Sequence, residues 1–154
     1  MGYTHYWRQD RDFTKPEWET LVSSVSKILE VCKNNRIDLV SGKWESSDPP
    51  EVNGETIHFN GRKEDGHETF VIERIKPDLQ PWMGGEHMDF CKTAQKPYDL
   101  AVCMVLLAIN QFCPGVMRIS SDGDWPSDWN HASVMFRNIF GLKSKPVCPW
   151  VDTN

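Results

Sequence analysis

The chain has 154 residues, of which 39% are hydrophobic and 25% charged, a balance that fits one globular domain with a core of its own. Twenty-two acidic residues against seventeen basic ones leave a net charge of −5. That balance excludes a general nucleic-acid binder, which needs a basic footprint, and the lack of any run of about 18 apolar residues excludes a hydrophobic spanning helix.

The opening segment, Gly2-Tyr3-Thr4-His5-Tyr6-Trp7-Arg8, is rich in aromatic and β-branched types and predicts a strand. Its period of two puts Tyr3, His5 and Trp7 on one face. Thr14-Lys15-Pro16-Glu17 then combines a capping hydroxyl, a proline in the first turn and a glutamate three residues on, the signature of a helix start. Trp18, Leu21, Val22, Val25, Ile28, Leu29 and Cys32 follow at helical spacing and form one apolar stripe, which ends near Asn34-Asn35.

Residues 37–40 read as a short strand and 41–54, with Pro49-Pro50, as a polar loop. Residues 55–59 and 68–75 read as paired strands around a turn that holds Gly61 and Asp65-Gly66. Residues 77–95 read as a long irregular loop. Leu100 to Phe112 is apolar nearly all round and predicts a central buried helix, closed by Cys113-Pro114-Gly115. A strand over 116–119, a turn at Ser120-Ser121-Asp122-Gly123 and a last helix carrying Trp129, Ala132, Phe136, Ile139 and Phe140 complete the chain before an extended tail. The order β-α-β-β-β-α-β-α predicts a single-domain α+β fold over residues 1–154, with a mainly antiparallel sheet and about three helices packed on it.

Three stretches carry candidate chemistry. In Lys92-Thr93-Ala94-Gln95-Lys96-Pro97-Tyr98-Asp99, two cations and a hydroxyl stand just before the buried helix, whose N-terminal N–H groups favour an anion. Lys92, Thr93 and Lys96 are the candidate phosphate ligands. Tyr98 is a candidate stacking ring, and Asp99 is either a helix cap or an acceptor for ribose hydroxyls. Ser120, Ser121 and Asp122 form a second polar cluster at a strand end, and an Asp-Gly turn with a helix cap accounts for it equally. The third is the pair His5 and His67, whose rings would meet over a pocket if their strands were neighbours. His67-Glu68-Thr69 has the His-x-Thr form of two-histidine phosphoesterases, but no second such element is present.

Trp7 and Arg74 join the ligand-binding candidates, as a stacking ring and an orienting cation. No Walker loop, Gly-x-Ser-x-Gly elbow or His-Glu-x-x-His motif occurs, so the sequence names no catalytic residue, metal ligand or cofactor. The five cysteines, an odd number without a Cys-x-x-Cys pair, read as reduced and mostly buried. Cys91 beside Lys92 is a weak candidate nucleophile.

The opening Gly-Tyr-Thr-His-Tyr-Trp, the Lys92–Asp99 segment and Ser120-Ser121-Asp122-Gly123 together resemble a family of small proteins encoded by bacteriophages and some bacteria. The lack of a spanning helix and the polar, aromatic N-terminus predict a soluble, cytoplasmic protein, and the resemblance implies the host-cell cytoplasm if it is phage-encoded. By analogy, phage proteins of this size include sponges that sequester cyclic or ADP-ribose-type immune signals. The leading expectation is therefore a binding protein for a nucleotide-like, phosphate-bearing ligand, with a pocket shared between two copies left open. A phosphoesterase or nucleotide hydrolase using His5 or His67 is the second expectation. A protein-binding inhibitor with exposed Trp anchors is the third.

Overall fold

A computed structural model of the chain describes residues 2–42, 47–78 and 88–150. The first strand, β1 (Thr4–Gln9), leads into α1 (Lys15–Asn34). The helix starts where the sequence places it: Thr14 accepts from the Glu17 N–H and the Glu17 carboxylate accepts from the Thr14 N–H, which satisfies two otherwise free donors. Arg11 fixes the same carboxylate through two guanidinium nitrogens, at 2.8 and 3.0 Å. The predicted stripe is the buried one, with Trp18, Leu21, Val25, Ile28 and Cys32 all inside.

Five short strands follow: β2 (Leu39–Val40), β3 (Glu51–Val52), β4 (Thr56–Gly61), β5 (Phe70–Glu73) and β6 (Asp89–Lys92). Then come α2 (Asp99–Phe112), β7 (Met117–Ser121) and α3 (Asn130–Phe140). The α+β class, its three helices and its antiparallel pairing agree with the sequence reading. The detail differs in two places. β3 arises inside the segment read as a polar loop, and β6 inside the long irregular one, each because a neighbouring strand supplies backbone partners that no local pattern announces.

The strands form two antiparallel sheets. One has the order β6-β1-β7, with His5 facing Cys91 on one side and Ser121 on the other. In the other, β4 pairs with β2, β3 and β5, and the β4–β5 hairpin register runs from Thr56↔Glu73 to Phe59↔Phe70. A single 3-10 turn, Lys63–Asp65, sits in that hairpin.

The core lies around α2. Residues Ala101 to Ile109 of this helix are all buried, so it has no solvent face over that span. It packs on α1, α3 and β7, and each large aliphatic side chain it buries contributes about 1.5–3 kcal/mol. Trp18 ties α1 to the second sheet through a 2.8 Å hydrogen bond from its indole N–H to the Asn53 carbonyl. Among the described residues no helix is long and apolar enough to cross a membrane.

Candidate functional site

The connection from β6 to α2 is a tight turn. Thr93 and Ala94 both donate their N–H groups to the Tyr3 carbonyl, the Lys96 N–H returns to the Thr93 carbonyl, and the Asp99 N–H to the Lys96 carbonyl. Ala94 and Gln95 make this reversal with φ of 53° and 56°, a left-handed conformation that costs non-glycine residues about 1 kcal/mol or more each. The result is that Thr93, at the end of the strand, meets Asp99, in the first turn of the helix: the Thr93 hydroxyl donates to Asp99 Oδ1 at 2.6 Å. A carboxylate in the first helical turn also complements the helix dipole.

His5 reaches the same carboxylate from β1. Its Nε2 lies 2.6 Å from Asp99 Oδ1 and its Nδ1 lies 2.8 Å from Ser121 Oγ on β7. The ring is fully buried and stands edge-on to both Tyr3 and Trp129, with centroids at 5.2 and 5.1 Å. Ser121 Oγ also accepts the Gly123 N–H at 2.9 Å and the Trp129 indole N–H at 3.1 Å. With both lone pairs engaged, the hydroxyl hydrogen goes to His5 Nδ1. The imidazole proton then sits on Nε2 and is donated to Asp99. One hydrogen-bonded chain thus runs from Trp129 and Gly123 through Ser121 and His5 to Asp99, with Thr93 closing it from the other side.

Cys103, four residues after Asp99 on α2, completes the cluster. Its Sγ lies 3.6 Å from both His5 Nε2 and Asp99 Oδ2. Burial, and Asp99 beside it, push its thiol pKa well above the ordinary cysteine value, so it stays a thiol. Tyr3 lies on the far side of His5. Its hydroxyl is pushed well above the usual tyrosine range by desolvation and by Asp99, and among the described residues its buried Oη lacks a well-formed hydrogen bond.

Asp99 and Cys103 form part of the wall of a pocket of about 370 Å³. Gln95 and Lys96 from the turn, and Asp128 and His131 at the start of α3, line it too. The pocket therefore presents one lysine and two carboxylates.

The other sequence candidates are placed differently. Trp7 is buried against Phe70, with ring centroids 5.2 Å apart. Tyr98 is buried and donates its hydroxyl to the Glu68 carbonyl. Both rings belong to the core, which corrects their reading as stacking platforms. His67 is exposed and bonds the Lys92 carbonyl through Nδ1 at 2.9 Å, so it does not meet the buried His5.

Arg74 donates to the Phe13 carbonyl at 3.3 Å, where it braces a turn rather than orienting a ligand in the pocket. Lys92 lies along Gly2: a β-carbon at Gly2 would stand 3.0 Å from Lys92 Cε. Ser120 is exposed on the face of β7 opposite Ser121, and Asp122 closes the strand pair by accepting the Thr4 N–H at 3.1 Å. Only Lys96 and Asp99 of the sequence candidates line the pocket, backed by His5, Thr93 and Ser121.

All five cysteines are free, and four are buried. Cys91 is not an activated nucleophile: burial pushes its thiol pKa up to about 12 despite the adjacent lysine. Among the described residues no Trp is exposed; Trp44 and Trp82 lie outside them. Sequence reasoning missed Cys103, Asp128 and His131. The i, i+4 spacing of Asp99 and Cys103 on one helix was the available signal for the first. The other two had none, because only the packing of α3 against α2 brings them to the pocket.

No protein-family model, curated protein or solved structure matches this chain, so the reading of the site rests on its geometry.

Proposed function

We propose that this protein binds a small, nucleotide-like, phosphate-bearing ligand in the pocket at the N-terminal end of α2. The observation that carries the reading is the joint presence, in one pocket of about 370 Å³, of the Lys96 cation and an Asp99 carboxylate held in place from behind. Asp99 Oδ1 is engaged by Thr93 and His5, which leaves Oδ2, 3.6 Å from the Cys103 thiol, as the oxygen with acceptor capacity to spare. A ligand for this pocket needs hydrogen-bond donors for Asp99 and Asp128 and an anionic group for Lys96. A nucleoside phosphate offers both, through its hydroxyls or exocyclic amine and its phosphate. Preorganised acceptors of this kind lower the ordering cost of binding.

The role in keeping with such a pocket is retention of the ligand, as in a sponge for a cyclic or ADP-ribose-type signal. The resemblance to small phage and bacterial proteins supplies that setting.

A second reading draws on one specific observation, the Ser121–His5–Asp99 chain, which has the residue types of a hydrolytic triad. Against it, Ser121 Oγ already accepts two N–H groups, which drain the electron density a nucleophile needs.

The test is to add cyclic dinucleotides, ADP-ribose derivatives and mononucleotides to the purified protein, record the melting temperature, then denature it and identify the released compound by mass spectrometry. A ligand that raises the melting temperature and returns intact is the expected result. A ligand returned cleaved selects the hydrolase, and no shift across the panel overturns the nucleotide reading.

A further inference from the structure

We infer that His5, Asp99 and Cys103 form a binding site for a thiophilic divalent cation of the zinc class. It is argued from other observations than the nucleotide reading, and the cation would take the Asp99 Oδ2 that the nucleotide reading leaves for the ligand.

The three side chains offer an imidazole nitrogen, a carboxylate oxygen and a sulfur within 4.8 Å of one another. In a tetrahedral zinc site with bonds of about 2.3 Å to sulfur and about 2.0–2.2 Å to nitrogen and oxygen, ligand atoms of different bonds lie roughly 3.5 Å apart. The 3.6 Å separations from Cys103 Sγ to His5 Nε2 and to Asp99 Oδ2 already match this spacing. The third edge, Nε2 to the Asp99 carboxylate, is now closed by the shared proton. A cation would replace that proton and bind Oδ2.

The surroundings of the three groups strengthen the assignment. A ligating histidine ordinarily donates its other ring N–H, and a ligating carboxylate is ordinarily hydrogen-bonded on its free oxygen. Ser121 Oγ stands 2.8 Å from His5 Nδ1, and the Thr93 hydroxyl 2.6 Å from Asp99 Oδ1. His5 and Cys103 are buried, so both are already desolvated and fixed in place.

Access is through the pocket, where Asp99 and Cys103 are both on the wall and Asp128 and His131 line the same space. Three protein ligands with a fourth position toward a pocket is the pattern of an open zinc site.

Proton bookkeeping closes. The Cys103 thiol releases its proton to solvent as the thiolate binds. The single imidazole proton of His5 changes place from Nε2 to Nδ1, and Ser121 turns from donor to acceptor toward the ring, which requires it to release the Trp129 indole N–H, the longer of the two bonds its oxygen now accepts. The Ser121 hydroxyl hydrogen is then free for Tyr3 Oη, the buried oxygen that lacks a well-formed hydrogen bond. One proton leaves per cation bound.

The experiment is cobalt(II) titration of the reduced, full-length protein, followed optically. The expected result is a near-ultraviolet thiolate-to-cobalt charge-transfer band with intense visible bands of tetrahedral cobalt, saturating at one equivalent and erased by one equivalent of zinc. Cys148→Ser, which removes the one cysteine that is not buried, should leave the spectrum unchanged. Cys103→Ser should abolish the charge-transfer band, and Thr93→Val should weaken affinity about 10–100-fold.

Because Cys103→Ser sits in the core, a second readout on the unaltered protein accompanies it. Imidazole nitrogen NMR should show the His5 proton move from Nε2 to Nδ1 when zinc is added. A wild-type protein that shows no band, a band lost in Cys148→Ser, a band retained in folded Cys103→Ser, or a His5 tautomer unchanged by zinc would each overturn the assignment.

Discussion

His5 Nε2 and Asp99 Oδ1 lie 2.6 Å apart although 94 residues separate them in the chain, and this contact joins the central strand of one sheet to the first turn of the buried helix. The pair places a carboxylate at the wall of the pocket and holds it there. It is flanked on one side by Ser121 and on the other by Thr93, so neither nitrogen of the buried ring is left unsatisfied.

Removing Asp99 therefore strands two buried donors. Asp99→Ala is expected to destabilise the protein by about 3 kcal/mol, because the His5 N–H and the Thr93 hydroxyl lose a charged acceptor. Asp99→Asn keeps one carbonyl oxygen for them and should cost less than half as much. Urea unfolding of the three proteins measures the difference, and equal stability of wild type and Asp99→Ala would refute the role of the carboxylate as an anchor.

Gly123 and Tyr3 offer a test of packing on the other side of His5. A β-carbon at position 123 would overlap Tyr3 Oη and stand 3.0 Å from Cζ. Gly123→Ala should destabilise by about 1–3 kcal/mol through this overlap. Tyr3→Phe alone should be near neutral, because the oxygen it removes lacks a well-formed hydrogen bond among the described residues, and in the double variant it should recover part of the loss. A double-mutant cycle with zero coupling would contradict the placement of the ring.

The two lysines of the turn separate cleanly. Lys96 lines the pocket, and Lys92 lies along Gly2 at the sheet edge. Lys96→Ala should weaken binding of a stabilising nucleotide about tenfold or more with the melting temperature of the free protein unchanged, whereas Lys92→Ala should bind as wild type. Calorimetric titration of both variants decides it; the reverse order would move the anion site to the strand.

Glu17 sets a pH dependence of stability. Its carboxyl is held down at about 2, first by the hydrogen bond from Arg11 and then by the Thr14 backbone N–H, against an ordinary value of 4.5. Because the folded-state value is depressed, the contribution is complete above about pH 4.5 and is lost as the pH falls toward 2. The stability difference between wild type and Glu17→Gln should be constant above that window and shrink within it. A difference independent of pH down to 2 would count against the Arg11–Thr14–Glu17 arrangement.

The fold was legible where local signals agree with tertiary ones. The Thr14–Glu17 box, the stripe from Trp18 to Cys32 and the mostly apolar run from Leu100 to Phe112 each have a local physical cause, and each is found in place. β6 was not legible because its partner β1 is distant in sequence, and β3 because two residues in a polar, proline-flanked segment carry no strand pattern, although its partner β4 is next in the chain. The site was half legible. The polar residues before α2 drew attention to Thr93, Lys96 and Asp99, but the same residue types misled at Tyr98 and Trp7. An aromatic ring has enough apolar area to be claimed by the core, and burial decided both. Cys103 was hidden for the opposite reason: a cysteine in an apolar helix reads as packing, and only the approach of His5 from β1 gives it chemistry.

The most direct measurement of the central claim is an amide chemical-shift map of the protein titrated with the nucleotide panel. A ligand in the proposed pocket should perturb Gln95 to Cys103 and Asp128 to Ala132 together, with His5 and Ser121 responding behind them. Perturbations confined to other surfaces, or none at millimolar nucleotide, would contradict the claim that this pocket is the functional site.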